Sequence, residues 1–73
     1  MKLQTHYRGH LILGDFRGHW VGRIYRPGVR TPHTVMVRAT EEEGRYVLQE
    51  RAQRLIDALV QEKSLAEAGL QST

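Results

Sequence analysis

The sequence predicts an α+β domain, in which a three-stranded antiparallel meander is followed by one C-terminal helix packed on one face of the sheet (β-β-β-α). The first half of the 73-residue chain alternates apolar and polar residues between glycine- and proline-containing turns, a pattern typical of strands. The second half repeats apolar residues at helical spacing. A chain of this length holds one small domain, so residues 1–73 are expected to fold as a single unit.

The three strands are expected at about residues 3–13, 19–26 and 33–39. A glycine-bounded turn at residues 14–18 separates the first strand from the second, and Pro27-Gly28 ends the second. Side chains alternate between the two faces of a strand, and the odd positions of the first strand are the more apolar ones. The face that they form consists of Leu3, Thr5, Tyr7, Gly9, Leu11 and Leu13.

The strand register follows from the pairing that brings the apolar side chains together, because a shift of one residue reverses every side chain. A four-residue first loop and a six-residue second loop satisfy this condition on one common core face. The predicted partners are Leu13–Trp20, Trp20–Ala39, Gly22–Val37 and Ile24–Val35. Gly9 and Gly22 lie on this face and are expected to let the helix approach closely.

The helix is expected from about residue 41 to residue 63. Thr40 and Glu43 form a capping-box pattern, in which the hydroxyl accepts from the Glu43 amide and the carboxylate reaches back to the Thr40 amide. The apolar stripe of the helix consists of Leu48, Ala52, Leu55, Ile56 and Leu59. Residues 64–73 either extend the helix or form a frayed tail.

The charges are unevenly distributed between the two halves. Residues 1–40 carry seven lysines and arginines against Asp15 alone, a net charge of +6, whereas residues 41–73 carry a net charge of −3. A basic half favours a polyanionic partner. The alternative interpretation is that the two halves attract each other within the fold or keep the protein soluble.

One face of the predicted sheet packs against the helix, and nothing in the chain covers the other. This uncovered face is expected to display guanidinium groups, one aromatic ring and several apolar side chains. The candidate residues for binding a nucleic acid or a partner are Arg8, His10, Arg23, Tyr25, Met36 and Arg38.

Three interpretations of this face remain open. Arginines on a sheet can reach phosphates and base edges, and Tyr25 can stack on an exposed base. The face is also apolar enough for a protein partner or a homodimer, built on it or on an unpaired edge strand. The third interpretation is a solvent-exposed sheet face that binds no partner. Nucleic-acid binding is the first choice, and a protein-interaction or homodimerisation module is the alternative.

Two short segments carry a resemblance to known families. Trp20-Val21-Gly22-Arg23-Ile24 in the second strand and Ala39-Thr40-Glu41-Glu42-Glu43 at the helix start resemble the three-stranded DNA-binding domains of integrase amino-termini and plant ethylene-response factors. That resemblance implies docking of the sheet in the major groove of DNA, with Arg8, Arg23 and Arg38 as contacts. The same segments are similar to the HicB-type antitoxin amino-terminal domain, which implies a protein partner.

No catalytic or metal site is expected. The chain has no cysteine, its two serines lie in the tail, and no glycine-rich loop is followed by Gly-Lys-Ser/Thr. The four histidines are spaced too widely along the predicted strands to share one ion. We therefore expect a non-enzymatic binding module without a cofactor, a metal or a small-molecule substrate. No segment approaches the ~20 apolar residues of a membrane span and no signal peptide is evident, so a cytoplasmic location is expected.

Overall fold

Four antiparallel strands form one sheet in the order β1-β2-β3-β4, and a C-terminal helix packs against it. The computed structural model describes the backbone of residues 2–71 and the side chains of residues 2–62. The elements are β1 (Lys2–Tyr7), β2 (His10–Phe16), β3 (His19–Tyr25), β4 (Val37–Thr40) and α1 (Gly44–Gln71). The predicted α+β meander with one C-terminal helix is confirmed, with four strands in place of three.

The extra strand arises because the expected strand 3–13 is folded back on itself. Arg8 and Gly9 both adopt left-handed backbone conformations, with φ of 50° and 78°, and form a two-residue turn that pairs Tyr7 with His10. Two consecutive residues with positive φ are what a type I′ turn requires, one of the tight turns that join antiparallel strands. The turn shifts the alternation by one residue, so the even positions of β2 lie on the same face as the odd positions of β1.

This shift reverses the predicted faces of β2. Ile12 is fully buried against the helix, whereas Leu11 and Leu13 lie on the opposite face and are only half-buried. The predicted pairing of Leu13 with Trp20 is therefore wrong. Trp20 pairs with Phe16 instead, and their rings lie 5.3 Å apart between centroids.

The register between β3 and the last strand is as predicted where the two strands pair. Trp20 lies opposite Ala39 and Gly22 opposite Val37. The predicted pair of Ile24 and Val35 does not form because β4 begins only at Val37. Residues 26–36 form a long connection instead, tied to β3 by the amide of His33, which donates to the carbonyl of Ile24 over 2.7 Å.

The helix begins at Gly44 and extends through Gln71, so it starts later and ends later than predicted. The capping box forms as expected: the Thr40 amide donates to Glu43 Oε1 over 2.9 Å, and the Glu43 amide donates to Thr40 Oγ1 over 3.2 Å. Residues 41–43 are a turn, however, and Gly44 has a φ of 81°. A left-handed residue interrupts the helical hydrogen-bond pattern, which places the first regular turn after it.

The core lies between α1 and the inner face of the sheet, where Leu48, Ala52 and Ile56 are fully buried on the helix stripe. These side chains pack in two adjoining clusters with the inward residues of the strands, which are Ile12, Ile24, Trp20 and Ala39. Burial of the leucine and isoleucine side chains contributes about 1.5–3 kcal/mol each and holds the helix on one face only. No stretch of the described helix, residues 44–71, is both long and apolar enough to cross a membrane.

Candidate nucleic-acid interface

No described element covers the sheet face opposite the helix, and the strand registers determine which side chains this face presents. Residues that lie opposite one another across antiparallel strands share a face, so the face is ordered in rows. The three rows are Lys2–Asp15–Val21–Arg38, Gln4–Leu13–Arg23 and His6–Leu11–Tyr25. These three rows form the candidate interface, the open face.

Three of the six predicted binding residues, Arg23, Tyr25 and Arg38, lie in these rows. Arg23 and Arg38 are exposed, and the ring of Tyr25 is half-buried. Met36 precedes β4 and is 43% exposed beside the same rows. The structure therefore brings together four of the six predicted residues.

His10 does not belong to the open face, contrary to the prediction. The turn at residues 8–9 directs it to the helix side of the sheet, where it is 7% exposed. Its Nδ1 lies 3.0 Å from the carbonyl oxygen of Arg8, which supplies the buried ring with a hydrogen-bond partner. His10 therefore stabilises the β1–β2 turn rather than contacting a ligand.

Arg8 is also displaced from the predicted site. It lies in the turn itself, and its Nη1 donates to Asp57 Oδ1 over 2.8 Å, which ties the hairpin to the helix. The hydroxyl of Tyr7 donates to the same oxygen over 2.9 Å. The Arg8 and Tyr7 hydrogen bonds hold the pKa of the Asp57 carboxyl below its usual value, and the hydrogen bond to Asp57 raises the pKa of the Tyr7 hydroxyl. Arg8 therefore has a structural partner.

Two shallow depressions cover the open face and adjoin at Leu13 and Tyr25, which line both. The floor of the two depressions is aliphatic and aromatic. The basic side chains around the first depression are Lys2, Arg17, Arg23 and Arg38, and those around the second are Arg26 and Arg30. The open face is thus a groove with an apolar floor and basic rims.

The electrostatics of this face differ from those of the helix side. Among the side chains of residues 2–62, the four ion pairs are Arg8–Asp57, Arg17–Asp15, Arg51–Glu43 and Arg54–Glu50. Neither Arg23 nor Arg38 takes part in them. Asp15, the acidic residue of the rows, pairs with Arg17 over 3.1 Å. Positive charge on the open face therefore remains available to an anionic ligand.

Arg51 holds the edge of the open face in place from behind. Its Nη1 donates to the carbonyl oxygen of Arg38 over 2.8 Å and to Glu43 Oε1 over 3.0 Å. The Arg51 hydrogen bond, followed by the one from the Thr40 amide, lowers the pKa of Glu43 to about 2. This network connects β4 to α1, so the backbone that carries Arg38 is anchored to the helix.

The alternation of the first strand places Gln4 and His6 on the uncovered face, although not as binding residues. The residues of β1 and β2 that the sequence does not place there are Lys2, Leu11, Leu13 and Asp15. One signal was available: strands are usually ~5–6 residues long, and an eleven-residue strand with a glycine near its middle favours a turn there.

The described residues contain no group of three or more histidine, aspartate or glutamate side chains arranged to hold a metal ion. Comparison with protein families, with curated proteins and with solved structures finds no match. The resemblances to DNA-binding domains and to the HicB-type domain therefore stay predictions.

Proposed function

We propose that this protein is a nucleic-acid-binding module that uses the open face of its sheet. The observation that supports the proposal is the position of Arg23 and Arg38 on adjacent strands, exposed and outside the ion pairs of the described residues. Val21 lies directly opposite Arg38, so Arg23, two residues further along β3, is its diagonal neighbour, at roughly 7–8 Å between Cα atoms. Two guanidinium groups at this spacing can contact successive groups of one polyanionic chain.

The anchoring of the two arginines favours recognition over unspecific attraction. Arg23 pairs with Leu13 of β2 and directly follows Gly22, the last residue of β3 that pairs with β4, and the Arg38 backbone is held by Arg51. Side chains on rigid strands lose less conformational freedom on binding than side chains on loops. Arginine also offers planar, bidentate hydrogen bonding to phosphates and base edges.

Fluorescence anisotropy with labelled oligonucleotides at ~50 and ~200 mM salt tests the proposal, because each neutralised phosphate releases counterions. The wild-type protein is expected to bind, and to bind more weakly at the higher salt concentration. Arg23→Ala and Arg38→Ala should each weaken binding and reduce the salt slope by about 1. Arg45→Ala is the matched control, since Arg45 is exposed on the helix and the charge change is the same. An equal loss of binding affinity in all three variants would show only an effect of net charge and would contradict an interface on the open face.

A specific observation supports the alternative, a module that pairs with a second protein chain. β1 is an edge strand of six residues without proline, and its outer edge has no neighbour among the described residues. Tyr7 and His10 flank a two-residue turn and exchange hydrogen bonds, so the amides of Lys2, Gln4 and His6 point away from β2. Such an edge is suited to antiparallel pairing with another strand.

The mass in solution tests this alternative. Gln4→Pro removes one outward amide without removing a β1–β2 hydrogen bond, and Gln4→Ala is the control that keeps the amide. A mass of two chains for the wild type and for Gln4→Ala, but of one chain for Gln4→Pro, supports edge pairing. A single-chain mass for all three proteins contradicts homodimerisation through β1.

A further inference from the structure

We infer that the ligand of the open face is a single-stranded nucleic acid, with one base stacked on Tyr25; this rests on the function proposed above. The inference starts from the shape of the face. Its two depressions adjoin at Tyr25 and Leu13, so the apolar floor is continuous from one to the other. A duplex keeps the flat faces of its bases inside its own stack and presents phosphates and base edges, so it has no base face to lay on an aliphatic floor.

The floor is suited to the flat faces of unpaired bases. Leu11, Leu13, Val21 and Tyr25 are all half-buried, so they retain apolar surface that a ligand can cover. Every base has an apolar π-face, and stacking on aromatic rings is the usual way in which proteins hold single strands. A helix or a β-ribbon that enters the major groove of a duplex projects its side chains into the groove, whereas this face carries two depressions.

Tyr25 is placed to act as the stacking platform. It lies opposite Leu11 in the row that continues to His6, and diagonally from Leu13, so its ring borders the middle of the groove. Because Tyr25 is half-buried, its ring already has restricted freedom. Stacking of a base on it therefore costs less conformational entropy. The Gln4 amide and the Arg23 guanidinium flank Leu13 in the neighbouring row. Both can donate hydrogen bonds to base edges.

Basic residues at both ends of the groove provide contacts for the phosphates of a bound single-stranded nucleic acid. Lys2 and Arg38 lie at opposite ends of one row and line the first depression, and Arg26 and Arg30 line the second. Phosphates contact these rims while bases lie on the floor between them. A basic groove that follows the backbone, combined with an aromatic platform, is the arrangement of proteins that bind single strands.

The test compares a fluorescent single-stranded oligonucleotide of ~12 nucleotides with the duplex of the same sequence, a length within the ~4–16 nucleotides that small sheet domains cover. The single strand is expected to bind at least about tenfold more tightly than the duplex. Tyr25→Ala should weaken single-strand binding about 5- to 100-fold, the effect of one lost stacking contact, whereas Tyr25→Phe should retain it. Tyr46→Ala is the matched control, since Tyr46 is 72% exposed on the helix.

The outcomes separate this inference from the proposed function. Duplex binding as tight as single-strand binding, or equal affinities of Tyr25→Ala and the wild type, overturns the inference and leaves nucleic-acid binding in place. No binding of either oligonucleotide overturns both. An NMR titration of the wild type gives a second measurement that does not depend on a variant: upfield shifts of the Tyr25 ring protons are expected with the single strand, and their absence contradicts stacking.

Discussion

Gly14 lies directly opposite Gly22 on the helix side of β2 and β3, and the side chain of Leu48 fills the space that both glycines leave. A Cβ atom on Gly14 would lie 2.9 Å from Leu48 Cδ2, and one on Gly22 would lie 2.8 Å from Val37 Cγ2 and 3.3 Å from Leu48 Cδ1. Leu48 is fully buried between the helix and the sheet. The paired glycines therefore set how closely the helix approaches the sheet.

The first prediction is that Gly22→Ala destabilises the protein by about 1–3 kcal/mol, the usual cost of overpacking a core. Val37 is β-branched and stiff, so it cannot rotate away from the new methyl group. Chemical denaturation of four proteins, the wild type, Gly22→Ala, Val37→Ala and the double variant, measures the effect. The cost of Gly22→Ala should be smaller in the Val37→Ala background. Equal destabilisation by Gly22→Ala in both backgrounds would show that the new methyl group does not collide with the Val37 side chain.

The roles of the glycines show how far the sequence predicted the fold. Gly22 lies on the helix-facing side, as predicted, because the apolar residues around it in β3 alternate without interruption. The sequence predicts the same role for Gly9, but Gly9 lies in the β1–β2 turn, and Gly14 takes that place beside the helix. The order of elements and the capping box depend on local patterns, and local patterns are readable in a single sequence.

The misassigned part of the candidate site has a physical cause. The Arg8–Gly9 turn lacks the asparagine or aspartate that usually marks such turns, and Arg8 is held there by Asp57, 49 positions further along the chain. A contact over that separation leaves no local signal. Because one missed turn reverses every later side chain of β2, the error moved His10 and Ile12 to the wrong face, while β3 and β4 kept theirs.

A second prediction concerns acid stability and Glu43. The pKa of Glu43 is lowered to about 2 in the folded protein, from an ordinary value of 4.5, chiefly by Arg51. A carboxyl with a depressed folded pKa stabilises the protein above its unfolded pKa, and the contribution is lost as the pH falls through the folded pKa. Glu43→Gln keeps the capping acceptor but removes the charge. We expect the variant to be less stable than the wild type at neutral pH.

Denaturation curves between pH 7 and pH 2 measure this difference. The gap in the free energy of unfolding between the wild type and Glu43→Gln should narrow from about pH 4.5 towards pH 2. Glu42→Gln serves as the control, because the described structure gives Glu42 no side-chain hydrogen bond or ion pair, and its gap should stay near zero. A gap for Glu43→Gln that is independent of pH would contradict the Arg51 interaction.

A third prediction concerns Tyr7, whose hydroxyl donates to Asp57 over 2.9 Å. This hydrogen bond raises the pKa of Tyr7 above its ordinary value of 10.0. A raised folded pKa stabilises the protein below the unfolded pKa and loses that effect as the pH rises through the folded value. Asp57→Asn removes the negative charge, so the pKa of Tyr7 should return towards 10.0.

NMR titration of the tyrosine ring carbons follows Tyr7 separately from Tyr25 and Tyr46, with Tyr7→Phe to assign the signal. Glu50→Gln removes the same charge elsewhere on the helix and should leave the Tyr7 titration unchanged. An unchanged titration in Asp57→Asn would mean that the hairpin is not tied to the helix through this carboxylate.

The last prediction separates the two roles of Arg8, which are backbone strain and an ion pair. A residue with a side chain at a φ of 50° is strained, and the left-handed region costs ordinary residues about 1–2 kcal/mol. Asparagine tolerates this region and is favoured before glycine in such turns. In the Asp57→Asn background, where Arg8 has lost its partner, Arg8→Asn should therefore raise the free energy of unfolding by up to ~1 kcal/mol. In the wild-type background the gain is offset by the lost ion pair, so the substitution should be less favourable there.

A double-mutant cycle by denaturation measures both effects, and Arg8→Ala supplies the control that removes the charge without the turn preference. If Arg8→Asn and Arg8→Ala were equivalent in the Asp57→Asn background, the turn strain would contribute nothing to the fold, and Arg8 would act only through its charge.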